Sequence, residues 1–122
     1  MGVATAALVA SCADAGPPDA FEDRTPETVC GEVDRGPDGA LSGAAVDCFE
    51  RALSEGDDAE LVVRVSTVEG DPVVHYYRTV PDGSGIEVFV DATQDEFGSQ
   101  AWEHGICPDA TGPDALGECE WH

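Results

Sequence analysis

The topology of this protein is set by residues 60–80, which read ELVVRVSTVEGDPVVHYYRTV. Between Leu61 and Val65 an apolar side chain recurs at every second position, which is the periodicity of a strand with one buried face. Gly70-Asp71-Pro72 follows and favours a turn. The residues after it are rich in β-branched and aromatic side chains, which are typical of strands. We therefore predict two strands, 60–69 and 73–80, joined by a tight turn.

The segments that follow continue the same pattern. Residues 86–90 alternate and predict a third strand, after a hairpin connection at residues 81–85 that is rich in Gly and Pro. Residues 91–99 predict a loop, and residues 101–107 predict a short fourth strand. Because the connections are short, the strands are expected to form an antiparallel meander.

A helix is predicted before these strands. From Leu41 to Leu53 the apolar residues have helical spacing, with Ser42 as the expected N-cap and Gly56 as the expected residue after the C-terminus. Cys48 lies on the apolar stripe of this helix, so its thiol is expected to face the core. The predicted fold class is α+β, with one helix packed on a three- to four-stranded antiparallel meander sheet and disulfides as staples.

Composition limits both the size of the core and the class of partner. The 122 residues allow one domain, and 26 acidic residues against five basic ones give a net charge of −21. This charge excludes a conventional nucleic-acid binder and electrostatic docking onto anionic lipid. Leu, Ile, Val and Phe number 25, and 18 of them lie between residues 41 and 106. A core this small needs covalent staples.

The amino terminus resembles a bacterial lipoprotein signal. Residues 1–11 are uncharged and largely apolar, and Val9-Ala10-Ser11-Cys12 resembles a lipobox, in which the cysteine is lipidated and becomes the new N-terminus. No positive charge precedes the apolar run, so we interpret residues 1–11 as a partial signal segment. Residues 12–29, rich in Pro and Asp, are then a flexible acidic tether, and residues 30–122 form the domain. The alternative is a short frayed segment with an incidental cysteine.

The cysteine count supports this division. Removing Cys12 for lipidation leaves an even set of four, Cys30, Cys48, Cys107 and Cys119, as expected outside a reducing cytosol. Three pairings are open. Loop-closure entropy favours the nested pairing of Cys48 with Cys107 and Cys30 with Cys119, at about 4 kcal/mol per long bridge against about 3 for the short loops of neighbour pairing.

Two motifs carry a further resemblance. The strand ending in Glu69-Gly70-Asp71-Pro72, the aromatic strand after it, the Asp91-x-x-x-Asp95-x-Phe97-Gly98 motif and a late cysteine are similar to small Gram-positive extracytoplasmic domains of unknown function. Such domains occur in actinobacterial lipoproteins and related bacillus proteins, and the similarity covers roughly residues 41–107. It implies a fold and a location, and no activity.

The second motif also has the oxygen spacing of a calcium loop at Asp91, Thr93 and Asp95. However, Glu96 stands where the loop needs Gly, and Trp102 stands where it needs Glu. The favoured interpretation is a set of Asx turns at the strand exit, and we predict no metal site and no cofactor. His75, His104 and His122 do not have zinc-site spacing.

No sequence pattern indicates catalysis, and the predicted function is a non-catalytic binding or structural module anchored to the outer face of the cell membrane. Tyr76, Tyr77 and Trp102 are the candidates for a contact patch. Core packing is the favoured interpretation for most of these rings, and one or two exposed ones would form the patch. We expect a monomer that reaches the membrane through its lipid alone and meets a protein or another cell-envelope component. The alternatives are a calcium-dependent extracellular binding domain and a small hydrolase, the latter needing His75 or His104 beside a Ser and an Asp.

Overall fold

The computed structural model of the protein describes residues 16–35, 39–80 and 84–122. The predicted signal segment 1–11, the predicted lipidation site Cys12 and residues 81–83 of the predicted hairpin lie outside the described residues. The elements in chain order are α1 (Asp19–Asp23), β1 (Thr28–Asp34), α2 (Ala44–Glu55), β2 (Ala59–Ser66), β3 (Pro72–Thr79), β4 (Ile86–Asp91), β5 (Trp102–Cys107) and β6 (Glu120–Trp121).

The strands form one six-stranded sheet in the order β1-β2-β3-β4-β5-β6. β1 pairs with β2 in parallel, and all the other pairs are antiparallel. The predicted helix and the predicted meander are present as α2 and β2 to β5. The predicted fold class is nevertheless wrong, because the sheet is larger than three or four strands and is mixed, and a second short helix is present.

The missed strand β1 has an irregular sequence pattern. The register shifts between Val29 and Gly31, so Cys30 is an extra residue in a β-bulge and the period of two is interrupted. Gly31 has a φ of +143°, and a Cβ there would lie 3.0 Å from the Cβ of Ala45 in α2. A parallel neighbour requires a crossover connection, and α2 supplies it by packing on both β1 and β2.

The missed strand β6 depends on one close contact. Gly105 of β5 is paired with Trp121, and a Cβ on Gly105 would lie 2.5 Å from the indole ring. The absence of a side chain therefore lets the indole lie across the strand. A two-residue strand gives no periodic signal in the sequence, so the pattern from residue 108 onward could not predict it.

Helix α2 begins one residue later than the predicted N-cap implies. It begins at Ala44, and Gly43 is the N-cap residue without a side-chain cap, so the predicted N-cap Ser42 is wrong. Gly56 is the C-cap in the left-handed conformation, as its sequence position predicted. Val46, Phe49 and Ala52 are buried against the sheet, so this helix covers one face of it.

The hydrophobic core lies between α2 and that face of the sheet, which we call the core face. The strand residues in it share one side by the alternation of β2, β3 and β4, and the carboxy-terminal segment adds Ala110 and Leu116 beside the helix. The fully buried members with the largest side chains are Phe49, Leu61, Ile86, Val63, Val88 and Cys107.

The structure confirms that all four cysteines of the domain form disulfides, but the predicted nested pairing is wrong. Cys30 is bonded to Cys48, and Cys107 is bonded to Cys119, with Cα–Cα distances of 5.7 and 4.0 Å. Cys48 therefore points toward β1, a strand that the prediction lacked. Loop-closure entropy favours the long loops by only about 1 kcal/mol per bridge. The packing of α2 on β1 brings Cys30 and Cys48 together and outweighs this preference.

The neighbour pairing makes a testable prediction. The loops close over sequence separations of 18 and 12 residues, so replacing either pair with Ser should lower the free energy of unfolding by about 3 kcal/mol. Chemical denaturation of the Cys30→Ser/Cys48→Ser and Cys107→Ser/Cys119→Ser variants measures this. A non-reducing peptide map provides the independent check, and a peptide linking Cys48 to Cys107 would refute the pairing.

Candidate functional site on the aromatic face

The face of the sheet opposite α2 carries rings from three neighbouring strands. Tyr76 of β3 is paired with Phe89 of β4, and Phe89 is paired with His104 of β5, so the three side chains form a row. Trp102 lies on the same face, two residues before His104. Phe89 is fully buried, and its ring stacks on that of His104 with the centroids 4.5 Å apart. We call Tyr76, Phe89, Trp102 and His104 the aromatic face.

The side chain of Phe21 from α1 lies on this face. Its ring centroid is 4.8 Å from Tyr76, 5.1 Å from Phe89 and 5.2 Å from Trp102, in edge-on or tilted geometry. Such arrangements bring the positive edge of one ring to the negative face of another and are favourable. Phe21 therefore occupies a slot whose walls are three aromatic side chains of the sheet.

Arg78 joins the slot to a buried ion pair. Its guanidinium carbon lies 4.3 Å from the Phe21 ring centroid and 5.1 Å from that of Phe89, within cation–π range. Its Nε donates to Glu60 Oε2 at 2.8 Å, and the side chains of Arg78 and Glu60 are 5% and 9% exposed. Its Nη1 donates to the carbonyl oxygens of Phe21 and Arg24, both at 3.0 Å. One guanidinium thus holds the sheet, the ring and the backbone of α1 together.

A second guanidinium fixes the segment after α1. Arg24 donates through Nη1 to Asp58 Oδ1 at 2.8 Å and through Nη2 to Glu87 Oε1 at 3.1 Å and the Thr79 carbonyl oxygen at 3.2 Å. The other oxygen of Glu87 lies 2.8 Å from Nε2 of His104. Glu87 therefore connects Arg24 to the aromatic face.

We call residues 16–27 the arm. They belong to the predicted tether, and in the structure they lie on the sheet and are held by Phe21, Arg24 and Arg78. Composition predicted this segment to be extended and solvated, whereas its described part packs on the sheet. Residues 12–15 of the predicted tether lie outside the description.

The predicted contact patch is divided by the structure. Tyr76 and Trp102 are both partly exposed on the aromatic face, with their rings stacked at 5.9 Å. Tyr77 points to the core face and is 4% exposed, so it belongs to the core. Burial raises the pKa of Tyr77, and the nearby charge of Arg35 opposes this. Burial also raises the pKa of Tyr76, with a smaller contribution from the carboxylate of Asp91.

The carboxylates of the predicted calcium spacing are engaged in turns. Asp91 Oδ1 accepts hydrogen bonds from the backbone N–H of Thr93 at 3.0 Å and from its hydroxyl at 2.6 Å. Asp95 Oδ1 accepts from the backbone N–H of Phe97 at 3.3 Å. These are the Asx turns that the sequence favoured. Within the described ranges no group of three or more His, Cys, Asp and Glu side chains is arranged to hold a metal ion.

The histidines named for a hydrolase lie on opposite faces of the sheet. His104 is on the aromatic face, whereas His75 is on the core face, stacked on Tyr77 with centroids 6.0 Å apart. A cleft of about 220 Å³ between α2 and the start of β4 is lined by polar and apolar residues, among them Glu50, Leu53 and Ser84. Neither histidine is among the residues that line this cleft.

Comparison with known proteins adds no assignment. No protein-family model matches the chain, and neither a curated protein nor a solved structure is significantly similar to it. The similarity to Gram-positive lipoprotein domains therefore stays a prediction.

Phe21 and Arg24 are the site residues that the sequence analysis missed. A signal for them exists, since Phe21 is the one aromatic residue and Arg24 the one basic residue in the acidic, Pro-rich segment 12–29. Solvated, disordered segments contain few aromatic residues, so a single Phe with an Arg three positions later is a weak signal that this segment packs on a folded surface.

The buried ion pair of Arg78 with Glu60 predicts that replacing Arg78 destabilises the protein far more than replacing Arg64, whose ion pair is exposed. Arg78→Ala should lower the free energy of unfolding by about 3–5 kcal/mol, because it leaves the carboxylate of Glu60 buried without a partner. The matched control is Arg64→Ala, since Arg64 pairs with Glu32 at 2.6 Å on the exposed surface, and it should leave stability unchanged. Chemical denaturation measures both, and equal effects would contradict this account of the pair.

His75 predicts a pH dependence. Burial, and secondarily the charge of Arg35, lower the pKa of His75 below 6.5. Its Nδ1 is buried and has no hydrogen-bond partner among the described residues. The unfolded chain therefore binds more protons below pH 6.5, so the free energy of unfolding should fall as the pH decreases from 7.5 to 5.5, by at most about 1.4 kcal/mol per pH unit. His75→Gln should reduce this slope in denaturation curves, and an unchanged slope would assign it to other groups.

Proposed function

We propose that this protein is a lipid-anchored extracytoplasmic lipoprotein whose domain is a non-catalytic binding or structural module. The observation that carries the location is the pair of disulfides. Both bridges lie in one small domain, and such bonds persist in oxidising compartments. They indicate an oxidising, extracytoplasmic environment.

The cysteine pairing also supports the proposed anchor. Cys30, Cys48, Cys107 and Cys119 are bonded to one another, so Cys12 is the one cysteine of the five that these bridges do not use. Cys12 follows the apolar run at the lipobox-like Val9-Ala10-Ser11. A multiply acylated cysteine gives stable attachment to a membrane. In the described part of the chain, no helix is long and apolar enough to cross a bilayer.

The aromatic face is the proposed binding surface. Tyr76 and Trp102 each combine a large apolar ring with a polar group, and both keep part of their surface exposed at the edge of the slot. Residues of this kind contribute much of the energy of protein interfaces at little cost in conformational entropy. The proposed partner is a protein or another component of the cell envelope, met by a monomer.

The anchor is tested by Cys12→Ser in the full chain, expressed in a Gram-positive host that processes lipoproteins. Wild-type protein should be recovered with the membranes, and the Cys12→Ser protein should be released to the soluble fraction, because no acyl chain can be attached. Ser11→Ala is the matched control, since it keeps a small residue before the cysteine, and it should stay with the membranes. Retention of the Cys12→Ser protein on membranes would overturn the anchor.

A further inference from the structure

The slot that holds Phe21 is built by the sheet. Its walls, Tyr76, Phe89 and Trp102, stand on three strands that are hydrogen-bonded to one another. Arg78 closes it and is fixed by Glu60 of β2 at 2.8 Å. Because neither the strand pairing nor this ion pair involves the arm, the slot keeps its walls when the arm leaves.

The arm shows what the slot recognises. The aromatic walls bind a ring. Arg78 Nη1 binds one helical turn of backbone, since it donates to two carbonyl oxygens three residues apart, those of Phe21 and Arg24. The carboxylates of Asp58 and Glu87 form ion pairs with the guanidinium of Arg24. The slot is therefore complementary to an aromatic residue followed three positions later by Arg.

The arm itself is poorly matched to the slot in charge. Helix α1 has five residues, of which Asp19, Glu22 and Asp23 are acidic, and it has no side-chain cap. A helix this short has no stability of its own. Since the chain carries −21 in total, the three carboxylates of α1 are repelled by the domain on which they lie. A cationic segment of the same pattern would be attracted by the same field.

We propose that this slot binds a cationic peptide segment of a partner protein, one that carries an aromatic residue followed three positions later by Arg, and that the arm is the resident ligand which this segment displaces. The proposal rests on the binding role proposed above for the aromatic face. A second copy of this chain is disfavoured as the occupant, because it brings the same three carboxylates and another charge of −21.

The experiment uses the full chain and fluorescently labelled peptides, with binding followed by anisotropy. The first peptide has the sequence of residues 16–27 with Asp19→Lys, Glu22→Lys and Asp23→Lys, and it should bind the wild-type protein saturably. The same peptide with Phe21→Ala should bind at least tenfold more weakly, which separates recognition of the ring from attraction between net charges. Equal binding of the two peptides would overturn the proposal.

Variants of the protein locate the site. Trp102→Ala removes one wall and should weaken binding of the cationic peptide at least tenfold. Phe97→Ala is the matched control, since Phe97 is 75% exposed on the β4–β5 loop, and it should bind as wild type does. If Trp102→Ala and Phe97→Ala bind alike, the peptide does not use the slot and the proposal fails.

Displacement of the arm is tested by Phe21→Ala in the full chain. Without the competing ring, this variant should bind the cationic peptide at least tenfold more tightly than wild type, and Phe21→Leu serves if Phe21→Ala does not fold. If a folded variant binds the peptide with unchanged affinity, the arm does not compete for the slot. If the wild-type protein forms dimers that the peptide dissociates, a second copy of the chain occupies the slot. Either result overturns this proposal, whereas the membrane retention of Cys12→Ser tests the anchor separately.

Discussion

A β-sheet has two faces, and the helix α2 of this protein covers only one of them. The opposite face contains Phe89 and the ion pair between Arg78 and Glu60, which tolerates burial because its two charges lie 2.8 Å apart. The arm completes the fold by placing the ring of Phe21 over this pair and by offering two backbone carbonyl oxygens to Arg78. The packing of the arm depends on this covering, since an aromatic face that is open to water is unfavourable and is typical of a surface that binds something.

The few cations of the chain are used to join segments that are distant in sequence. In the part of the chain that the structure describes, four of the five arginines form ion pairs. Arg24 joins the arm to the sheet, and Arg35 Nη2, 3.1 Å from Asp114, joins the end of β1 to the carboxy-terminal segment. The excess of acidic residues therefore belongs to the solvated surface, and the basic residues act as cross-links between elements.

The sequence analysis identified the helix and strands whose apolar residues recur with a regular period, and it missed the strands that lack such a period. The alternation in residues 60–90 and the helical spacing before them identify α2, β2, β3 and β4, because one buried face imposes the period. β1 was missed because the bulge at Cys30 interrupts the alternation and its partner is parallel. Without β1 the position of Cys30 beside α2 could not be foreseen, so the disulfide pairing was wrong. At the candidate site, Tyr76 and Trp102 were found from residue type, whereas Phe21 and Arg24 lay in a segment whose composition favoured a tether.

The place of the arm in the chain has a mechanical consequence. Any force applied to the chain before residue 16 reaches the sheet through the arm, because the arm precedes β1. Such a force acts first on the contacts of Phe21 and Arg24, because these residues lie between residue 16 and the first residue of β1. Tension at the amino terminus would therefore act on the segment that covers the aromatic face before it acts on the hydrogen bonds of β1.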